Sequence, residues 1–102
     1  MTRIDDIDDM ATLRAHIDAV DQRLIALFAE RHALIDQAAK IKARESLPAR
    51  IDDRVEEVVA NVRRNAVSAG LDGALFEALW RQLVDAAIEQ EEQHLKGNGG
   101  NV

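Results

Sequence analysis

Apolar residues recur at helical spacing along almost the whole chain, and the alternation expected of strands is absent. The positions Leu13, Ile17, Val20, Leu24, Leu27, Arg31, Leu34, Ala38 and Ile41 advance in alternating steps of four and three. That is the seam of a helix packed lengthwise on another helix. No glycine or proline interrupts it, so one helix is predicted from a cap at Asp9 or Thr12 to about Arg44. At roughly 33 to 35 residues it would span about 50 Å, against a usual helix of about 11 to 12 residues. A second helix is predicted after Pro48, a residue suited to a first helical turn. It carries Ile51, Val55, Val58, Val59 and Val62 and runs to about Ala69, with Gly70 as its stop. A third, capped by Asp72, carries Leu75, Phe76, Leu79, Trp80, Leu83, Val84 and Ile88 and ends near Lys96. The chain thus reads as an acidic extension over 1–8, a helical domain over 9–96 and a flexible tail over 97–102.

This is an all-α chain of one long and two shorter helices. The short helices can fold back over only part of the long one, whose seam extends from end to end. An uncovered apolar strip is rare on soluble monomers. The expected solution is an intertwined homodimer, domain-swapped in character: the long helices cross antiparallel and the short ones wrap around them.

Composition narrows the chemistry. Apolar residues make up 47% of the 102, too many for a disordered chain and enough for one core. A net charge of −6 would repel a phosphate backbone, so nucleic acid is not expected as a partner. There is no cysteine, hence no disulfide, thiolate nucleophile or finger-type zinc site. Asp5, Asp6, Asp8 and Asp9 stand where a signal peptide has its basic start. No apolar run approaches the roughly 20 residues of a membrane span. A cytoplasmic protein is the expectation.

Arg31 sits at a seam position where every neighbour in the repeat is apolar. Its stem can pack while its head reaches water, or its guanidinium can be kept inside to receive an anion, since an unpaired buried charge is too costly to persist. Lys42 lies eleven residues on, nearly on the same face and about 16 Å along the axis. An elongated, doubly charged small molecule fits between two such cations. Arg14 shares the stripe but lies roughly 42 Å from Lys42 on one straight helix, so it could join the same site only from a second, antiparallel chain. Arg50 and Arg54 add positive charge near the start of the second helix, where the helix dipole also favours anions. Each base read singly is a solvated surface charge; together they suggest a dianionic ligand. Ser46 and Ser68 have no histidine near in sequence, and His16, His32 and His94 lack metal-binding spacing. His32 and Asp36 are one turn apart, as a surface hydrogen bond requires. No glycine-rich loop opens a helix, so no cofactor is expected.

Leu13-Arg14-x-x-Ile17-Asp18-x-x-Asp21, Leu24, Leu27, Ala29-Glu30-Arg31 and Lys40-x-Lys42 resemble the opening helix of the all-helical chorismate mutases. Pro48, Asp53-Arg54, Gly70-Leu71-Asp72 and the stretch Leu79 to Glu91 continue the resemblance, which covers roughly residues 12–95. The isochorismate-pyruvate lyases share that fold, and Arg54-Val55 and Gly70-Leu71-Asp72 are similar to them too. The resemblance implies a homodimer with two sites and rearrangement of chorismate to prephenate. Arg31 and, from the other chain, Arg14 would hold the two carboxylates. Lys42 would bond the ether oxygen and one carboxylate, and Arg54 would support the charge balance. In many mutases a glutamate follows the arginine matched by Arg54; here Val55 does. Ala87 stands for a serine of the last helix, and Glu91 for a glutamine that donates to the ether oxygen, with Gln90 one step away. A glutamate donates only when protonated. Isochorismate-pyruvate lyase activity, rearrangement of an amino-substituted chorismate, and a non-catalytic helical interaction module are the alternatives.

Overall fold

A computed structural model describes residues 3–100, with side chains over 3–96. A single 3-10 turn at Ile4–Asp6 precedes three helices, α1 (Met10–Glu45), α2 (Asp52–Ser68) and α3 (Gly73–Gly100). No strand occurs among the described residues, and no helix is long and apolar enough to cross a membrane. The chain divides into two units, Met1–Ala33 and Leu34–Val102, with α1 contributing to both.

In the first unit α1 starts as the sequence requires. The Asp9 carboxylate accepts a 2.7 Å hydrogen bond from the backbone N–H of Thr12, one of the donors that the first helical turn leaves open. That bond holds the Asp9 carboxyl below its usual range. The apolar seam lies open to solvent within the chain: Ile17 is 50% exposed, Leu24 46% and Leu27 60%. Between the N-terminal turn and α1 runs an open groove of about 410 Å³, lined by Ile4, Ile7, Leu13, His16 and Ile17 among others.

The second unit holds the packed core. Helices α2 and α3 form an antiparallel hairpin: Arg63 faces Glu77 at 3.5 Å and Arg81 grips both carboxylate oxygens of Glu56 at 3.1 and 3.2 Å. Ala49, Val84 and Ile88 are buried together, with Val55, Val58 and Leu95 against them. The hairpin turns on Gly70, whose φ of 79° ends α2. Gly70 N–H bonds the Val67 carbonyl and Leu71 N–H the Ala66 carbonyl, the paired closure that a left-handed residue permits after a helix. Asp72 then caps α3 through the N–H groups of Ala74 and Leu75 at 3.0 and 3.2 Å. Gly73 is buried where α3 starts beside α2; a Cβ there would come within 2.9 Å of Val67 Cγ2.

Helix α1 ends at Glu45, within a residue of the expected place, and closes on Ser46 with φ 56° and the same pair of bonds, Ser46 N–H to Ala43 and Leu47 N–H to Lys42. Two boundaries differ from the sequence reading. Pro48 does not open α2, which starts only at Asp52. The intervening residues have another task, because Ala49 is buried in the core and its carbonyl is taken by Lys42. Helix α3 continues to Gly100, past Lys96. The tail expected over 97–102 falls on residues whose side chains, or in the case of 101–102 whose entire structure, lie outside the described set.

Candidate active site

Lys42 sits in the last turn of α1 and is largely buried. The local reason is the Schellman-type closure at Ser46, which turns the chain so that the Ala49 carbonyl comes within reach of the lysine. Lys42 Nζ donates to the Ala49 carbonyl at 2.7 Å and to Glu91 Oε2 at 2.7 Å. The side chains of Lys42 and Glu91 are 18% and 8% exposed. Glu91 occupies the inner stripe of α3, where Val84, Ile88 and Leu95 are its apolar companions. It is thus a carboxylate at a position whose spacing asks for leucine, the same kind of signal that singles out Arg31.

A buried ion pair is weak evidence for stability, because desolvation offsets most of the attraction. Apolar residues of similar volume would hold α1 to α3 at least as well. What the pair adds is an ammonium with one backbone and one carboxylate partner at the edge of an apolar cluster. Removing either partner alone would leave the other charge buried, at a cost of about 3–5 kcal/mol.

Next to this pair, Gln90 Nε2 donates to Asp36 Oδ1 at 2.7 Å in a half-buried setting. Residue 91 therefore faces Lys42, while residue 90 is engaged elsewhere on α1. Nothing in the helical periodicity marks Asp36, and the Ala49 carbonyl is a backbone group that no sequence pattern reveals.

The remaining candidates are distributed as follows. Val55 is half-buried against the Ala49, Val84 and Ile88 cluster, with no charge of its own to offer a ligand. Arg54 does not turn inward; it is exposed and pairs with Glu57 on its own helix. The late start of α2 explains this, since Arg54 falls in the first turn, with Glu57 one turn on. Arg50 is exposed and reaches Asp85 at 3.0 Å. Arg14 and Arg31 belong to the first unit, Arg14 exposed and Arg31 half-buried. Among the described residues no group of three His, Asp or Glu side chains is arranged to hold a metal, and no buried side-chain nitrogen or oxygen lacks a partner.

A family model described as chorismate mutase type II matches residues 13–92. The chain is 31% identical over 87 residues to the T-protein of Haemophilus influenzae, covering 85% of this chain and 23% of that protein. It is 23% identical over 90 residues to the chorismate mutase of Methanocaldococcus jannaschii, covering 88% of this chain and 91% of that one. With the 4-amino-4-deoxychorismate mutase of Streptomyces pristinaespiralis it shares 25% over 95 residues, 93% of this chain and 74% of that one. The chain spans about a quarter of the length of the T-protein it matches.

Proposed function

Because the chain belongs to the type II chorismate mutase family, we propose that it rearranges chorismate to prephenate in a site built from two copies of the chain. The observation that carries this reading is the Lys42–Glu91 pair, a near-buried ammonium and carboxylate on the inner faces of two helices. The exposed seam of α1 supports the second copy, since Ile17, Val20, Leu24, Leu27 and Leu34 otherwise stay in water.

The reaction is unimolecular. One carbon–oxygen bond of the enol ether breaks as one carbon–carbon bond forms, and no proton, electron or cofactor is consumed. The protein has two tasks: to hold the folded conformer and to stabilise the charge that grows on the ether oxygen. Arg31 and the second chain's Arg14 hold the carboxylates. Lys42 gives up Glu91 to bond the ether oxygen and one carboxylate. Glu91→Gln, whose amide can donate to the same oxygen, should keep turnover, read as kcat beside the wild type.

A second reading, the same rearrangement on an amino-substituted chorismate, is favoured by Val55, which offers no group to bind a ring hydroxyl. The Streptomyces pristinaespiralis relative has the corresponding name. Purified protein is to be assayed with chorismate, its 4-amino analogue and isochorismate, with prephenate, its amino counterpart, and salicylate plus pyruvate as products. Prephenate as the main product supports the first reading. The amino product alone supports the second, salicylate would replace both by a lyase, and no turnover would leave a helical interaction module.

A further inference from the structure

Residues 3–9 lie ahead of the stretch that matches the family, and the reaction above makes no use of them. They nevertheless form a defined turn. Asp6 N–H bonds the Arg3 carbonyl at 3.0 Å and Ile7 N–H the Ile4 carbonyl at 3.1 Å. This sets Ile4 and Ile7 along the open groove of about 410 Å³ that Leu13, His16 and Ile17 of α1 also line. Ile4 is 80% exposed, and side chains fixed around such a groove stay in water unless an apolar partner fills it. Asp5, Asp6 and Asp8 are exposed on the same segment, so the complementary partner is basic as well as apolar.

The far end of α1 and the turn after it have that character. Ile41 and Leu47 are exposed apolar residues, and Glu45 is the one acid in 40–50 against Lys40, Lys42, Arg44 and Arg50. Arg44 is exposed, as is Arg50, which also reaches Asp85. The spacing agrees. The seam from Leu13 to Ile41 has its midpoint at Leu27. Two copies of α1 laid antiparallel about a twofold axis at that midpoint set Leu13 of one against Ile41 of the other and Met10 against Arg44. One step on, just beyond both helix ends, Ile7 meets Leu47. A parallel pair would lay acid on acid. The contact belongs between copies, because a straight helix of the 36 residues of α1 separates its ends by roughly 54 Å.

We propose that residues 4–8 are a clasp between copies: Ile4 and Ile7 of one chain receive Leu47 of a second copy, with Asp5, Asp6 and Asp8 facing its Arg44 and Arg50. The clasp rests on the dimer proposed above and adds a contact outside the α1 seam. It falls on the turn that brings the Ala49 carbonyl to Lys42, so each copy braces the Lys42 turn of the other.

The chain has no cysteine, which permits a direct test. Chains carrying only Ile7→Cys and chains carrying only Leu47→Cys are unfolded together in equal amounts, refolded and oxidised. Peptide mapping should find position 7 of one chain joined to position 47 of the other, in clear excess over 7–7 and 47–47 links. A second measurement follows the dimer dissociation constant by sedimentation. The pair Ile4→Ser and Ile7→Ser, and separately Leu47→Ser, should each raise it at least about tenfold. Combined, they should raise it by much less than the product of the two, because they remove one shared contact. Asp5→Lys with Asp6→Lys should weaken the dimer, as should Arg44→Glu, and the chain carrying all three should regain it. Cross-links no more frequent than the self-links overturn the clasp, and so do effects that simply multiply; a wild-type dimer in sedimentation then leaves the dimer reading standing. Wild-type protein that sediments as single chains at every concentration overturns both.

Discussion

In the proposed reaction Lys42 is the residue that meets the ether oxygen, and its replacement is read for both catalysis and folding. Lys42→Met removes a charge-stabilising donor from the reacting oxygen, a loss of about a hundredfold or more in kcat. Because it also leaves the Glu91 carboxylate buried, the melting temperature is measured beside the rate, and Arg31→Ala gives a second, independent loss of turnover. A drop in melting temperature with kcat intact would refute the assigned role. Two backbone positions make the opposite kind of claim, about stability alone. Ser46 bears a left-handed φ of 56° without being a glycine, so Ser46→Gly relieves strain and should add about 0.5 kcal/mol in urea unfolding, net of the freer unfolded chain. Gly70 has a φ of 79° and open space around it, so Gly70→Ala should cost about 1 kcal/mol by backbone strain. At this scale the sequence is readable where a charge interrupts a periodic seam, as with Arg31 and equally with Glu91. It is silent where the partner is a main-chain carbonyl, as at Ala49, or a side chain off the seam, as at Asp36.

Between elements, the hairpin of α2 and α3 is joined on its outer surface by the two-pronged grip of Arg81 on Glu56. The Arg81 hydrogen bonds, followed by its charge, hold the Glu56 carboxyl below its usual value of 4.5. A carboxyl depressed in the folded state adds stability that is present above the unfolded value and lost as pH falls through the folded one. Thermal melts of wild type and Glu56→Gln should therefore differ at neutral pH and converge as pH drops below about 4.5, and added salt should narrow the gap because both groups are exposed. A gap that persists at low pH would assign the effect to packing. Helix ends follow the same divide between local and tertiary causes. Asp9, Gly70 and Asp72 act within one turn of chain, and their effect was legible from residue type. The start of α2 was not, because burial of Ala49 and the reach of Lys42 override the ordinary preference of Pro48 for a first helical turn.

For the molecule as a whole the governing fact is the apolar seam of α1, open in the single chain, with Leu27 60% and Leu34 64% exposed. In the proposed dimer a second copy laid antiparallel would cover that seam and carry Arg14 of one chain to the far half of the other. Sedimentation should then report a dimer, and Leu24→Glu should shift it to single chains with loss of turnover. Shared sites make a sharper demand. Arg14→Ala and Lys42→Met should each be nearly inactive alone. Unfolded together in equal amounts and refolded, they would form mixed dimers in about half of all pairings, given a symmetric twofold contact. In each mixed dimer one site combines both substitutions, while the other draws its Arg14 from the Lys42→Met chain and its Lys42 from the Arg14→Ala chain. That second site is intact, so the mixture should recover about a quarter of the wild-type rate. If both cations served a site within one chain, every site in the mixture would carry one defect and no activity would return.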